Sequence, residues 1–159
     1  MVEFSESGLN FRFEEDKCFY IEQSNNYKRI CGRGVCSVES IYLGKKNKVF
    51  LIEAKSSIPN GNGIEDFCIQ IYNKNVHSVL MLASAIWNGR SEEIGEKLCK
   101  QILNSPKFIC TLIVKDAKED WCNSLQDLLR IKLRELTAIF GAEIIVINEE
   151  RARLIGLVI

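Results

Sequence analysis

A chain of 159 residues, 47% hydrophobic and 26% charged, fits one globular domain with a core large enough to need no disulfide staples. Its 21 basic and 21 acidic side chains cancel, so bulk charge does not mark it as a nucleic-acid binder. No apolar run is long enough to span a bilayer and the polar start, residues 1–7, does not read as a signal peptide, so a cytoplasmic location without a membrane partner is expected.

Residues 11–13 and 18–22 read as short strands, followed by the polar connection Ser24-Asn25-Asn26-Tyr27. Residues 35–43 and 49–56 read as an antiparallel hairpin around the turn Gly44-Lys45-Lys46-Asn47-Lys48. A turn centred on Lys46 pairs Leu43 with Val49, Ile41 with Leu51, Glu39 with Glu53 and Ser37 with Lys55. Because alternate side chains share a face, one face is apolar near the turn and carries Glu39, Glu53 and Lys55 at its open end. Carboxylates opposed in this way repel, and a divalent cation, which prefers carboxylate oxygens, would relieve the repulsion.

The breaker at residues 57–63 precedes a helix expected over 64–87, where Ile64, Phe67, Cys68, Ile71, Val79, Leu82 and Ile86 recur at helical spacing. Asn62 with Glu65 has the pattern of a capping box. The apolar stripe should pack on the hairpin face bearing Ile41, Leu43, Val49 and Leu51, while Gln70, Lys74 and His77 line another face. A shorter helix over 91–103 places Glu92 and Glu93 near its positive end and is stopped by Asn104-Ser105-Pro106. The continuous apolar run 108–114 suits a strand covered on both faces.

Asp116 and Glu119 suggest a second capping box, opening a helix with the stripe Trp121, Leu125, Leu128, Leu129, Leu133, Leu136 and Phe140, ended by Gly141. Residues 143–147 give a last strand, and the tail 149–159 reads either as a short helix or as an edge strand. The order specifies an α/β domain, a mixed sheet with helices packed on it, and nothing marks a second domain. Seven scattered cysteines do not form a compact disulfide framework and are expected mostly as small core residues. A zinc site from Cys18, Cys31, Cys36 and His77 lacks paired C-x-x-C units, and the sole histidine has no evident cysteine partner for nucleophilic catalysis. Lys28, Arg29, Arg33, Lys45, Lys46, Lys48 and Lys55 make the hairpin region basic enough to follow phosphates, although the three turn lysines also serve simply to solvate the turn.

Glu39, thirteen intervening residues, and Glu53-Ala54-Lys55, within Gly34-Val35-Cys36-Ser37-Val38-Glu39 and Phe50-Leu51-Ile52-Glu53-Ala54-Lys55-Ser56-Ser57, resemble the PD-(D/E)xK nuclease superfamily and its small bacterial members. The resemblance covers roughly residues 18–147, with the motif confined to 34–57; Glu39 stands where the usual first acid is Asp, and there is no Pro-Asp dipeptide. It implies a restriction-endonuclease-like mixed β-sheet flanked by helices and a metal-dependent phosphodiesterase acting on nucleic acid, with DNA the expected form. Glu39, Glu53 and the main-chain carbonyl of Ala54 would hold Mg²⁺ or Mn²⁺, and Lys55 would orient the attacking water or stabilise developing charge. Gln70 and Lys74 would contact substrate phosphate, and Glu22 would be an additional upstream acid. Symmetric cutting of two strands by so small a domain implies a homodimer. The rival reading is a nuclease-like domain without catalysis, serving as a protein-interaction or nucleic-acid-binding module.

Overall fold

Two sheets organise the chain in the computed structural model, which describes residues 1–89, 91–105 and 107–159. The smaller is an antiparallel hairpin of β1 (Val2–Glu6) and β2 (Leu9–Phe13). Ser7 and Gly8 join the two strands with φ of 52° and 77°, the left-handed pair that matches the twist of a two-residue hairpin. Leu9, Phe11 and Phe13 are buried on alternate positions, whereas β1, half-buried and rich in polar residues, lies ahead of any strand the sequence suggested.

The larger sheet has the order β3 (Cys18–Phe19), β4 (Ser40–Leu43), β5 (Lys48–Lys55), β6 (Lys107–Val114) and β7 (Glu143–Asn148). The pairs β3/β4 and β4/β5 are antiparallel, while β5/β6 and β6/β7 are parallel, so the expected mixed α/β sheet is present. Around it lie α1 (Asn25–Lys28), α2 (Gly63–Trp87), α3 (Glu96–Leu103), α4 (Glu119–Lys132), α5 (Arg134–Phe140) and α6 (Glu149–Leu154).

β5 and β6 are apolar at consecutive positions because both their faces are covered. On one face Ile41, Leu43, Val49, Leu51 and Leu112 share a core with Phe67, Ile71, Val79 and Leu82 of α2 and with Leu125 and Leu129 of α4. That is the packing expected of the α2 stripe. On the other face Ile52, Ala54 and Ile113 meet Leu9, Phe11 and Phe13 of the small hairpin and Ala152 of α6. A hydrogen bond from the Ile159 amide to the Asn10 carbonyl, 2.9 Å, ties the C-terminal end to that hairpin.

The departures from the expected elements have local causes. Strand 18–22 stops at Phe19, and Ile21–Gln23 forms a 3-10 turn capped by Ser24. Gly95, at φ 84°, splits the expected helix 91–103 into the 3-10 turn Ser91–Glu93 and α3; its end at Leu103 agrees, and Pro106 of the expected stop lies outside the described residues. The long helix after β6 breaks at Leu133 into α4 and α5, then ends at Gly141, at φ 63°, as expected. Its stripe is buried at Leu125, Leu129, Leu133 and Leu136, while Trp121, Leu128 and Phe140 are exposed.

Neither capping box forms. Asn62 caps α2 without a side-chain bond, and Lys118, one residue before Glu119, stands at the N-cap of α4. The tail resolves to the helical alternative in α6, where the Asn148 side chain accepts the Arg151 amide at 2.9 Å. Among the described residues no helix is long and apolar enough to cross a membrane.

Candidate active site

The hairpin turn is centred on Lys46, as expected: Lys46 and Asn47 have φ of 58° and 53°, and the Gly44 amide donates to the Lys48 carbonyl at 2.9 Å. This fixes the register through Leu43↔Val49, Ile41↔Leu51 and Ser40↔Ile52. The ladder then ends, earlier than the sequence suggested. The Glu39 amide donates to the Ile52 carbonyl at 2.9 Å, so Glu39 and Ser40 both face Ile52 in the manner of a β-bulge, and the expected pairing of Ser37 with Lys55 is not made.

Beyond the bulge the chain exchanges its strand partner for polar side chains of α2. The Cys36 amide donates to His77 Nδ1 at 3.2 Å and the Val38 amide to Ser78 Oγ at 2.9 Å, satisfying backbone donors that would otherwise be orphaned. His77 thus has a cysteine neighbour after all, with Cys36 Sγ 3.4 Å from its Nδ1. Burial pushes the Cys36 thiol above its ordinary pKa, the opposite of what a reactive thiolate needs.

Leu51, Glu53 and Lys55 alternate along β5 with Ile52 and Ala54, and Glu39 comes to the same side as Glu53. Both carboxylates are almost wholly buried, Glu39 at 2% exposed and Glu53 at 0%. Lys74, on α2, places its ammonium between them: Nζ lies 2.8 Å from Glu53 Oε1 and 3.4 Å from Glu39 Oε1, and it donates a hydrogen bond to Glu53 Oε2 at 3.0 Å. Lys55 Nζ is 2.9 Å from Glu53 Oε1. The expected repulsion between the carboxylates is therefore relieved by an internal cation.

A second group of acids lies on Glu39. Glu22, in its 3-10 turn rather than on a strand, and Glu6, at the end of β1, each bring a carboxylate oxygen to within 4.8 Å of the others and of Glu39. Ser7 Oγ donates to the Ala54 carbonyl at 3.1 Å, so the tip of the small hairpin closes over the end of β5. The sequence does not mark Glu6 as a site residue because β1 is polar and half-buried; the Ser7-Gly8 turn between Val2/Phe4 and Leu9/Phe11 is the available signal.

Sequence and structure thus agree on Glu39, Glu53 and Lys55 as one cluster, with Glu22 beside it. Lys74 belongs to the cluster but bonds the carboxylates, leaving it engaged where a free phosphate contact was expected. Gln70, one turn earlier on α2, is exposed to solvent. Cys18 is buried and Cys31 is exposed with Sγ directed at the Lys28 carbonyl, and among the described residues the four zinc candidates do not gather into a ligand set. Comparison with family models, curated proteins and solved structures finds no match to this chain.

Burial, reinforced by Glu22 and Glu53 and opposed by Lys74, pushes the Glu39 carboxyl up to about 9. Burial also raises Glu53, with Lys74 and Lys55 pulling it back. A carboxyl raised from 4.5 keeps its proton in the folded chain at pH values where the unfolded chain has lost it. Folding therefore takes up a proton at Glu39 over that window, and stability should fall as pH rises from about 5 to about 9, by at most about 1.4 kcal/mol per pH unit. Urea denaturation in chelator at pH 5.5 and 8.5 measures this, and Glu39→Gln should reduce the slope. A wild-type stability that rises over the same interval contradicts the assignment of Glu39 as a strained buried acid.

Proposed function

We propose that this chain is a metal-dependent nuclease of the PD-(D/E)xK kind, hydrolysing phosphodiester bonds of nucleic acid, with DNA the favoured substrate. The observation that carries the reading is the convergence of Glu39, Glu53 and Lys55 on one side of a mixed sheet where the β4/β5 ladder opens, with α2 packed on that same face. The donors suit Mg²⁺ or Mn²⁺, since the carboxylates of Glu39 and Glu53 and the carbonyl of Ala54, which also accepts from Ser7 Oγ, offer only hard oxygens. The ammonium of Lys74 already occupies the place between the two acids, so that place accepts positive charge, and a metal there requires Lys74 to withdraw. When bound, such an ion supplies Lewis-acid polarisation of the phosphate and a water of lowered pKa.

The chain's own part in the reaction is positioning and charge. Glu53 is fixed by burial and by its place on β5, and Glu39 by burial and by its amide bond to Ile52, so the acids themselves are held in place while Lys74 moves aside. Lys55, two residues beyond Glu53 on the same face, has a quarter of its side chain exposed and can turn its ammonium from Glu53 to an incoming phosphate oxygen. A homodimer would let two such sites address opposite strands.

The test is a cleavage panel of single- and double-stranded DNA and RNA with Mg²⁺ or Mn²⁺, accompanied by measurement of oligomeric state. Metal-dependent cleavage of at least one substrate, stopped by chelation, is expected. The second reading, a non-catalytic binding or interaction module, is favoured by one observation: Glu53 is fully buried and its charge is already answered by two lysines. Absence of both cleavage and metal binding across the panel selects that module.

A further inference from the structure

The face of the large sheet turned away from Glu39 and Glu53 carries a cleft beside the β4/β5 turn. Tyr42 and Phe50 are paired across β4 and β5, on the side of the sheet that packs against the small hairpin. Their rings lie 6.3 Å apart and Tyr42 stacks on Phe13 at 4.2 Å, so the hairpin holds the pair in a half-buried floor. Lys45, Lys46 and Lys48 border this floor from the turn and Arg153 borders it from α6, around a space of about 420 Å³ lined by no acid among the described residues. That volume falls within the ~300–1,000 Å³ of small-ligand sites.

Two features distinguish the cleft from a turn that is merely solvated. Lys46 takes a φ of 58°, a left-handed conformation that Gly or Asn adopts at lower backbone cost, so solvation alone gives no reason for lysine there. Gly44 has the opposite character. Its φ of −84° suits any residue, yet a Cβ would stand 2.6 Å from Phe50 Cε2 and 3.5 Å from Tyr42 Cε1. The glycine therefore keeps room for the Phe50 ring on the floor. Among the described residues Lys45, Lys46 and Lys48 have no ion-pair partner, while the acids at the margin are taken, Glu149 by Arg153 at 2.6 Å and Glu14 by Lys17 at 2.7 Å.

We infer that this cleft binds an unpaired stretch of nucleic acid, with the three lysines meeting phosphates and a base stacking on the rings of Tyr42 and Phe50. Lysine neutralises phosphate whatever the sequence, and an aromatic ring accepts the face of any base. The zero net charge of the chain does not oppose this, because charges farther off than about 8 Å are largely screened at physiological salt. The choice of nucleic acid among polyanions rests on the nuclease reading above. The cleft is nevertheless a separate place: Phe50 and Glu53 lie about 10 Å apart along β5 and alternate to opposite faces of the sheet. A strand held there is anchored away from the bond that is cut. Leu154 and Ile155 are exposed at the rim, as they would be for an anionic lipid surface, and vesicles therefore enter the test.

The experiment is fluorescence anisotropy of a labelled single-stranded oligothymidylate with the full chain in chelator, at several salt concentrations, where metal-dependent cleavage does not intervene. Saturable binding is expected, weaker for a DNA duplex, whose bases are already stacked. Lys45→Gln/Lys48→Gln should lower the slope of log affinity against log salt by about 1.4, because each single-strand phosphate contact contributes about 0.7. Phe50→Leu, checked by a cooperative melt, should weaken binding about tenfold and leave that slope unchanged. No saturable binding to the wild-type chain, an unchanged slope in the lysine variant, unchanged affinity in folded Phe50→Leu, a duplex bound as tightly as the single strand, or binding to phosphatidylserine vesicles alone overturns the cleft. Binding of this kind with no cleavage in the metal panel counts against the nuclease and leaves the cleft in place. Cleavage with no binding in chelator removes the cleft and leaves the nuclease.

Discussion

Glu53→Ala is expected to abolish nucleic-acid cleavage, and Lys55→Ala to slow it about 100- to 1000-fold while the metal is retained. The two residues differ in what they contribute. Glu53 is the acid at the centre of the cluster, touched by both lysines and closed to solvent, so its removal takes away a proposed metal ligand and leaves two ammonium groups over one remaining acid. Lys55 lies nearer the surface, and in the proposed reaction its ammonium is the one that turns from Glu53 towards a phosphate. Because breaking a buried ion pair from one side costs about 3–5 kcal/mol, Glu53→Ala must be accompanied by Glu53→Gln and by a folding check. Full turnover in a folded Glu53→Gln protein would falsify the mechanism.

Lys74→Met should be the most destabilising of the conservative changes at the cluster, by about 3–5 kcal/mol in chelator at pH 8. The lysine is the only group bridging Glu39 and Glu53 among the described contacts, and with it gone the buried Glu53 has Lys55 alone for compensation while Glu39 loses the partner of its Oε1. Its own pKa is raised: burial works against the charge, and Glu53 and Glu39 outweigh it. The ammonium therefore persists across the working pH range, and its contribution is lost only in strong alkali. Two rescues follow from the charge balance. Lowering the pH to 5.5 favours the protonated form of Glu53, which burial already raises and which has lost the pull of Lys74, and adding Mn²⁺ returns positive charge between the acids, so each should recover part of the loss in urea denaturation. The double change Glu53→Gln/Lys74→Met should cost less than the sum of its parts. Additive losses, or a Lys74→Met chain as stable as wild type, contradict the bridging role.

The central strands were legible because their patterns were unambiguous. Residues 108–114 form a run that is apolar except at Thr111, and the period of two around Lys46 fixed the pairing of Ile41 with Leu51. The bulge ends the ladder before Glu39 reaches its expected pairing with Glu53, and the two acids meet instead through Lys74 of α2. What the sequence concealed depends on contacts made at a distance. Residues 35–38 have the composition of a strand, yet His77 and Ser78 take their amides because α2 crosses there. Glu6 belongs to a polar, half-buried strand with a weak alternation, and its place beside Glu39 comes from the packing of the small hairpin on the far face of the sheet. The break at Leu133 leaves the helical period intact on both sides, so no periodic signal reports it. Lys74 was visible as a polar residue at the right helical spacing, but only the burial of both acids shows that it answers them before any substrate.

The most direct measurement is a crystal structure of the protein grown with Mn²⁺, read through the anomalous signal of the metal. The account predicts a peak bonded to carboxylate oxygens of both Glu39 and Glu53 at about 2.0–2.3 Å, with the Lys74 ammonium displaced from between them. Lys74 remaining in contact with both acids, with no peak between Glu39 and Glu53 at saturating Mn²⁺, would contradict it.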